Sequence, residues 1–359
     1  MSLVHKRSRY KYLGILTLCT AMLWPERIPA RAAATLQHVH DDQTASVLYQ
    51  EGALKGVPEW YLRTAKTYHV DWPLLAALDV YGASIKASDG VARPQKGPAA
   101  LIGFRFPTFE WSGLLNPHQQ DQNPLRISLF GGRGIDGDHD GKADQDNPYD
   151  RTAAIAVWLK QGGPTVDEQG DVLFNQFANP IAAERIMALR NVFQKFQTVQ
   201  LSERAFPLHK RYNYSYRSTW GEGRSFGGRR IHEGTDMFAD YGTPVLSTCY
   251  GYVELIGWNR LGGWRIGLRS ADNTYFYYAH LSSYAKGIKQ GEIVRPGQVI
   301  GYVGSSGYGK PGTSGKFPPH LHFGIYRDTG MNEWAFDPYP LLKQWERKPQ
   351  VVILPEKKR

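Results

Sequence analysis

The strongest constraint on the fold of this 359-residue chain is a set of side chains that only tertiary structure can bring together. His232 and Asp236 lie in the short segment Ile231-His-Glu-Gly-Thr-Asp236, and His322 ends the segment Pro319-His-Leu-His322, ninety residues after His232. Two imidazole nitrogens and one carboxylate oxygen make a three-ligand zinc set, which leaves tetrahedral zinc one position for water, as hydrolysis requires. His320 is left over. Residues two apart in an extended strand point to the same face, so His320 stands beside His322, close to whatever the metal binds. Gly234 predicts a tight turn between the first two ligands, in contrast to the helical His-Glu-x-x-His pattern, which this chain lacks.

A ligand count persuades only where a scaffold holds it. His38-Val-His40 is a second His-x-His, but it lies near the start of the chain with no predicted element around it, so it reads as adventitious or inert. From residue 226 onward the chain breaks into short β segments separated by glycine turns, the clearest at 245–256, 264–269, 274–279, 298–303 and 320–326. This predicts an antiparallel β domain over 226–345. His280 follows the aromatic run Tyr275-Phe-Tyr-Tyr-Ala and reaches a cleft at that strand's end. Four histidines in one β region, with Asp236 four residues after His232, point to a metal site.

The first half reads differently. Apolar spacing predicts helices opening at Val57 and Trp72 and spanning 150–160 and 180–196, within a helical domain over 35–200. A loop from Asp136 places Asp136, Asp138, Asp140 and Asp144 at positions 1, 3, 5 and 9 with Gly141 at 6, as in a calcium loop, but Asn147 at position 12 cannot chelate through two oxygens. Structural calcium, with Asp150 standing in, and a plain acidic turn both remain open. Residues 201–225 read as a polar linker rich in tyrosine and arginine, and 346–359 as a basic tail.

Residues 1–34 have the layout of an export signal: a basic run from Lys6 to Lys11, an apolar core from Tyr12 to Trp24, and Ala30-Arg-Ala32. That core is thirteen residues long, short of the roughly twenty needed to span a bilayer, and an uncleaved anchor is the alternative. The reading implies an exported protein of the cell envelope or exterior, with no membrane span after cleavage. Removing 1–34 takes away Cys19, leaving Cys249 without a disulfide partner, and about half of the net charge of +10. The remaining basic residues are scattered and form no nucleic-acid-binding module, so nucleic acid is not an expected partner.

Two resemblances follow from these motifs. The helix, the Gly103-to-Thr108 turn, the Asp136 loop, Asn147-Pro-x-Asp150 and the alanine-rich helix resemble the lysozyme-like domain of soluble lytic transglycosylases. That family cuts glycan with a glutamate, usually in a Glu-Ser pair, where this chain has Tyr81-Gly-Ala-Ser84; Asp79 and Glu110 are the acids left to replace it. The resemblance therefore implies a domain that binds or positions glycan strands without cutting them. Residues 226–340 resemble the lysostaphin-type zinc metalloendopeptidases, with every element in order, and look closest to the sporulation-linked L-Ala-D-Glu endopeptidases of spore-forming bacteria. The implied ligands are His232, Asp236 and His322, the implied general base is His320, and the second catalytic histidine is His280. The implied substrates are peptidoglycan stem or cross-bridge peptides. The alternative is a catalytically silent wall-binding protein on the same fold. The overall expectation is an α+β multidomain chain, a helical lysozyme-like domain followed by an antiparallel β-sheet zinc peptidase domain, with Asn213 or another linker residue available to cover the metal in a latent form.

Overall fold

A computed structural model describes residues 54, 56–88, 103–177, 180–225 and 228–355 of the chain. The export-like segment 1–34, with Cys19, and the His38/His40 pair lie outside these residues. Seven helices come first: α1 (Glu59–Tyr68), α2 (Trp72–Ser88), α3 (Thr108–Ser112), α4 (Pro124–Leu129), α5 (Pro148–Leu159), α6 (Val166–Gln176) and α7 (Pro180–Phe196). Local chemistry sets their starts. Asn147 accepts the Tyr149 amide ahead of Pro148, so α5 begins two residues before the expected Asp150. Thr165 and Glu168 form a reciprocal capping box at α6. Leu74 to Leu78 on α2 are fully buried, which makes α2 the central helix, with α7 and α5 packed against it.

The second half is an antiparallel sheet. Its strands are β1 (Tyr214–Tyr216), β4 (Thr235–Ala239), β5 (Pro244–Leu246), β6 (Gly251–Asn259), β7 (Gly263–Ser270), β8 (Thr274–Tyr284), β9 (Ile293–Val294), β10 (Val299–Val303), β11 (His320–Asp328) and β12 (Glu333–Phe336). The order across the sheet is β1-β4-β11-β8-β7-β6-β9; β10 pairs with β5 and β8, and β12 pairs with β11. A separate hairpin joins β2 (Gly223–Arg224) to β3 (Arg230–Ile231), and α8 (Tyr339–Glu346) closes the domain. Met237, Leu321, Phe323 and Phe276 point to the apolar core, so the alternate residues of β4 and β11 face the other way, where the histidines are.

Two expectations change. The single strand expected over 245–256 is two, β5 and β6, because residues 247–250 leave the ladder in a turn where the Ser247 hydroxyl donates to the Cys249 carbonyl (2.9 Å). The 201–225 stretch is woven into the β domain: it carries β1 of the large sheet and β2 of the hairpin, and buries Leu201, Phe206 and Leu208. The later part of the 346–359 stretch is also tied down, through the Ile353 amide on the Gly297 carbonyl (2.8 Å).

Helices and sheet meet in a buried ion-pair network. Arg185 of α7 donates to Asp328 (2.7 Å), Glu333 (2.6 Å) and Glu254 (2.9 Å), and Arg269 of β7 donates to Glu254 and Glu333. Burial pushes the Glu254 carboxyl up, but Arg269 and Arg185 hold it below its ordinary value of 4.5; Asp328 is likewise lowered, by Arg185 against the pull of burial. Carboxyls lowered in the folded state stabilise it above the ordinary carboxylate range and lose that contribution as pH falls through their folded values. The Arg185→Met protein takes the cation away from buried Asp328 and leaves Glu254 and Glu333 to Arg269 alone, so its unfolding free energy at pH 7, measured in urea, falls by about 3 kcal/mol.

Candidate active site

The sheet register brings the three predicted ligands together. His322 on β11 is the direct partner of Asp236 on β4, and His232 sits just ahead of β4, after the β2–β3 hairpin. His232 Nε2 lies 3.0 Å from Asp236 Oδ1 and 2.9 Å from His322 Nδ1, and His322 Nδ1 lies 3.1 Å from Asp236 Oδ1. Three donors around a tetrahedral zinc with bonds of about 2.0 to 2.1 Å stand roughly 3.3 to 3.4 Å apart, so this triangle needs only a slight expansion to hold the ion. The donor chemistry fits as well. The Thr219 carbonyl accepts from His232 Nδ1 (2.7 Å), which leaves Nε2 with its lone pair on the cluster. Burial alone would raise the Asp236 carboxyl, but the His232 and His322 imidazoles beside it hold it far below the usual carboxylate range.

Gly234 matters for a different reason from the one expected. It does not take up a left-handed turn conformation; a Cβ there would lie 2.6 Å from His322 Cε1 and 2.7 Å from the Phe323 carbonyl oxygen. The position is a close approach, and the metal-facing imidazole fills the space.

His320 and His280 stand against the ligand triangle. His320 Nε2 is 3.8 Å from Asp236 Oδ1, and its Nδ1 donates to the Pro318 carbonyl (2.9 Å). His280 does not end its strand: β8 continues to Tyr284, and His280 has a φ of 63°. Ala279 and His280 together face the single residue Arg265 on β7, so His280 occupies a bulge that turns its ring towards His320, 4.7 Å away between centroids. The Ser306 carbonyl accepts from His280 Nδ1 (2.7 Å). Burial, then the neighbouring His320 and His322, lowers His280 to about 3; burial also lowers His320 and His322, so these rings are neutral near pH 7.

Sequence reasoning missed Thr219 and Arg224, both in the supposed linker. Thr219 orients His232 and also accepts the Asp236 amide through its hydroxyl (3.2 Å), while Arg224 Nη2 donates to Asp236 Oδ2 (2.5 Å), which leaves Oδ1 for the cluster. No periodic pattern marks either residue. Asn213 is exposed ahead of β1 and takes no part in the ligand group.

The acidic loop is a correction. Asp136, Asp138 and Asp150 bring donors within 4.8 Å of one another, but Asp140 and Asp144 stay outside the group. Asp140 accepts the Lys142 amide (2.8 Å), and Asp144 accepts the Asp146 amide (2.8 Å). Asp136 accepts the Gly141 amide (2.9 Å), and Asp150 those of Gly137 (2.7 Å) and Asp144 (2.8 Å). The carboxylates bind the loop's own N–H groups, and calcium is not supported.

Two imidazoles and a carboxylate converging at the mouth of an antiparallel sheet, with two further neutral imidazoles beside them, define a mononuclear zinc hydrolase. Residues 230–338 match the model of Peptidase family M23. The chain is 51% identical over 289 residues to the L-Ala--D-Glu endopeptidase of Bacillus subtilis, covering 80% of this chain and 88% of that protein. It is 40% identical over 115 residues to lysostaphin of Staphylococcus staphylolyticus, covering 32% of this chain and 22% of that protein. The solved catalytic domain of lysostaphin from Staphylococcus simulans is 33% identical, with a TM-score of 0.30, over 37% of this chain and 94% of that domain. This chain belongs to peptidase family M23.

Because a side chain at 234 displaces the His322 ring, Gly234→Ala lowers zinc affinity at least tenfold in a competitive chelator titration. His322→Ala purifies without stoichiometric zinc by elemental analysis.

Proposed function

We propose that the protein is a zinc-dependent endopeptidase that hydrolyses the L-Ala–D-Glu bond of peptidoglycan peptides. The observation that carries this reading is the complete donor triangle with His320 beside it, in a chain so similar to an L-Ala--D-Glu endopeptidase over most of both lengths. When bound, zinc acts as a Lewis acid on water and on the scissile carbonyl. His320 is neutral, with Nδ1 committed to the Pro318 carbonyl, so its Nε2 accepts the proton of the attacking water and then delivers it to the leaving amine. Neutral His280 spends its one N–H on Ser306. Its Nε2 is therefore an acceptor that orients the water, and it is not a donor to a developing oxyanion.

In the helical half, the acids left to replace the missing glutamate are committed elsewhere, which opposes glycan cleavage and leaves positioning of glycan strands as the role proposed for it. Asp79 is fully buried, accepts the Tyr61 hydroxyl (2.9 Å) and lies 3.6 Å from Arg151, so it cannot reach a sugar. Glu110 pairs with Arg133 (3.1 Å). Gly82 packs on the Phe104 backbone, where an added Cβ would come within 2.7 Å of nitrogen, so this position takes no larger side chain. Among the described residues no helix is long and apolar enough to cross a membrane. The basic-then-apolar start of the chain supports export to the cell envelope, where this substrate lies.

Mass analysis of digested stem peptides shows new N-terminal D-Glu and C-terminal L-Ala; products cut at any other bond overturn the assignment. His320→Ala retains zinc and loses about 100- to 10,000-fold in kcat.

A further inference from the structure

The ligand triangle lines a cleft of about 850 Å³, which extends over the sheet to Tyr275, Tyr326 and Glu333. One cation in its wall is in register with the metal ligands. Asp236 on β4 pairs with His322 on β11, His322 pairs with Ala279 on β8, and the Ala279–His280 bulge faces Arg265 on β7. These residues form one row across four adjacent strands. At about 4.8 Å per strand, the Arg265 backbone is roughly 10 Å from that of His322. Tyr277 fills the space between them: its ring meets that of His322 edge-on (5.9 Å), and its hydroxyl lies beside the Arg265 side chain.

Arg265 is half-buried, its Nε has no hydrogen-bond partner, and it forms no ion pair among the described residues. Its neighbours differ. Arg224 is neutralised by Asp236, and Arg269 by Glu254 and Glu333. A guanidinium withdrawn from water without a counter-charge is costly, and its planar fork matches a carboxylate through two parallel hydrogen bonds.

The substrate of the proposed reaction carries such a group. A glutamyl residue has two carboxyls, and the onward amide uses at most one. The other remains as a free carboxylate on the leaving side, a few bonds from the scissile nitrogen. We propose that Arg265 anchors this carboxylate, with Tyr277 bracing the guanidinium, and so selects an acidic residue after the cleaved bond. The inference rests on the L-Ala–D-Glu reading above.

The test compares kcat/KM of the zinc-loaded protein on two synthetic stem peptides, identical except that the free glutamyl carboxyl is a carboxylate in one and a carboxamide in the other. The wild type prefers the carboxylate by about 10- to 100-fold. In Arg265→Gln the ratio of the two rates falls to about one, and Arg265→Lys restores part of it. Equal wild-type rates on the two peptides overturn the anchor while leaving the bond assignment intact. So does an Arg265→Gln protein that keeps the wild-type ratio. A wild-type protein that cuts neither peptide overturns the bond assignment itself. The wild-type comparison needs no variant, so the anchor is tested even where Arg265→Gln fails to fold.

Discussion

Three lone-pair donors held about 3 Å apart repel one another unless a cation lies between them, and the β domain is arranged around that demand. Asp236 and His322 are direct cross-strand partners, so the β4–β11 register alone sets their separation. His232 enters from outside the sheet, and the missing side chain at Gly234 leaves the space that the His322 ring fills. A one-residue slip of β11 would turn His320 and His322 into the core and bring Leu321 and Phe323 to the surface. The apolar packing of those two residues therefore protects the metal site.

A second layer of control comes from backbone carbonyls. Thr219, Ser306 and Pro318 each accept from the Nδ1 of one histidine, His232, His280 and His320 respectively, and so fix which nitrogen keeps its lone pair. His322 is the exception, since it offers Nδ1 to the cluster. Burial keeps the His280, His320 and His322 rings neutral, which suits both metal ligation and proton acceptance. The helical half reaches the same cleft by another route. Arg185 and Arg269 share Glu254 and Glu333, Glu333 lines the cleft, and the Arg269 guanidinium lies 4.9 Å over the Tyr275 ring. The placement of α7 is thereby tied to the shape of the substrate channel.

The residue types and spacing of His232, Asp236, His320 and His322 made the metal set legible before any fold was known, because ligand chemistry allows few alternatives to such a group. The strand alternation that puts His320 beside His322 was legible for the same reason. Thr219, Arg224 and the bulge at His280 were not, since each acts through a contact between segments with no periodic signature. The acidic loop stayed open between calcium and a plain turn because its spacing imitates a calcium loop, while its carboxylates accept from nearby amides.

Sequence alone determined which side chains bind the metal and the change from helical to β texture, since ligand identity and hydrophobic period are local properties. Tertiary structure decided that 201–225 belongs to the site, why position 234 must be glycine, and that Arg265 falls in line with the ligands across four strands. Those depend on register and close approach between distant segments, and neither is set by any stretch of chain on its own.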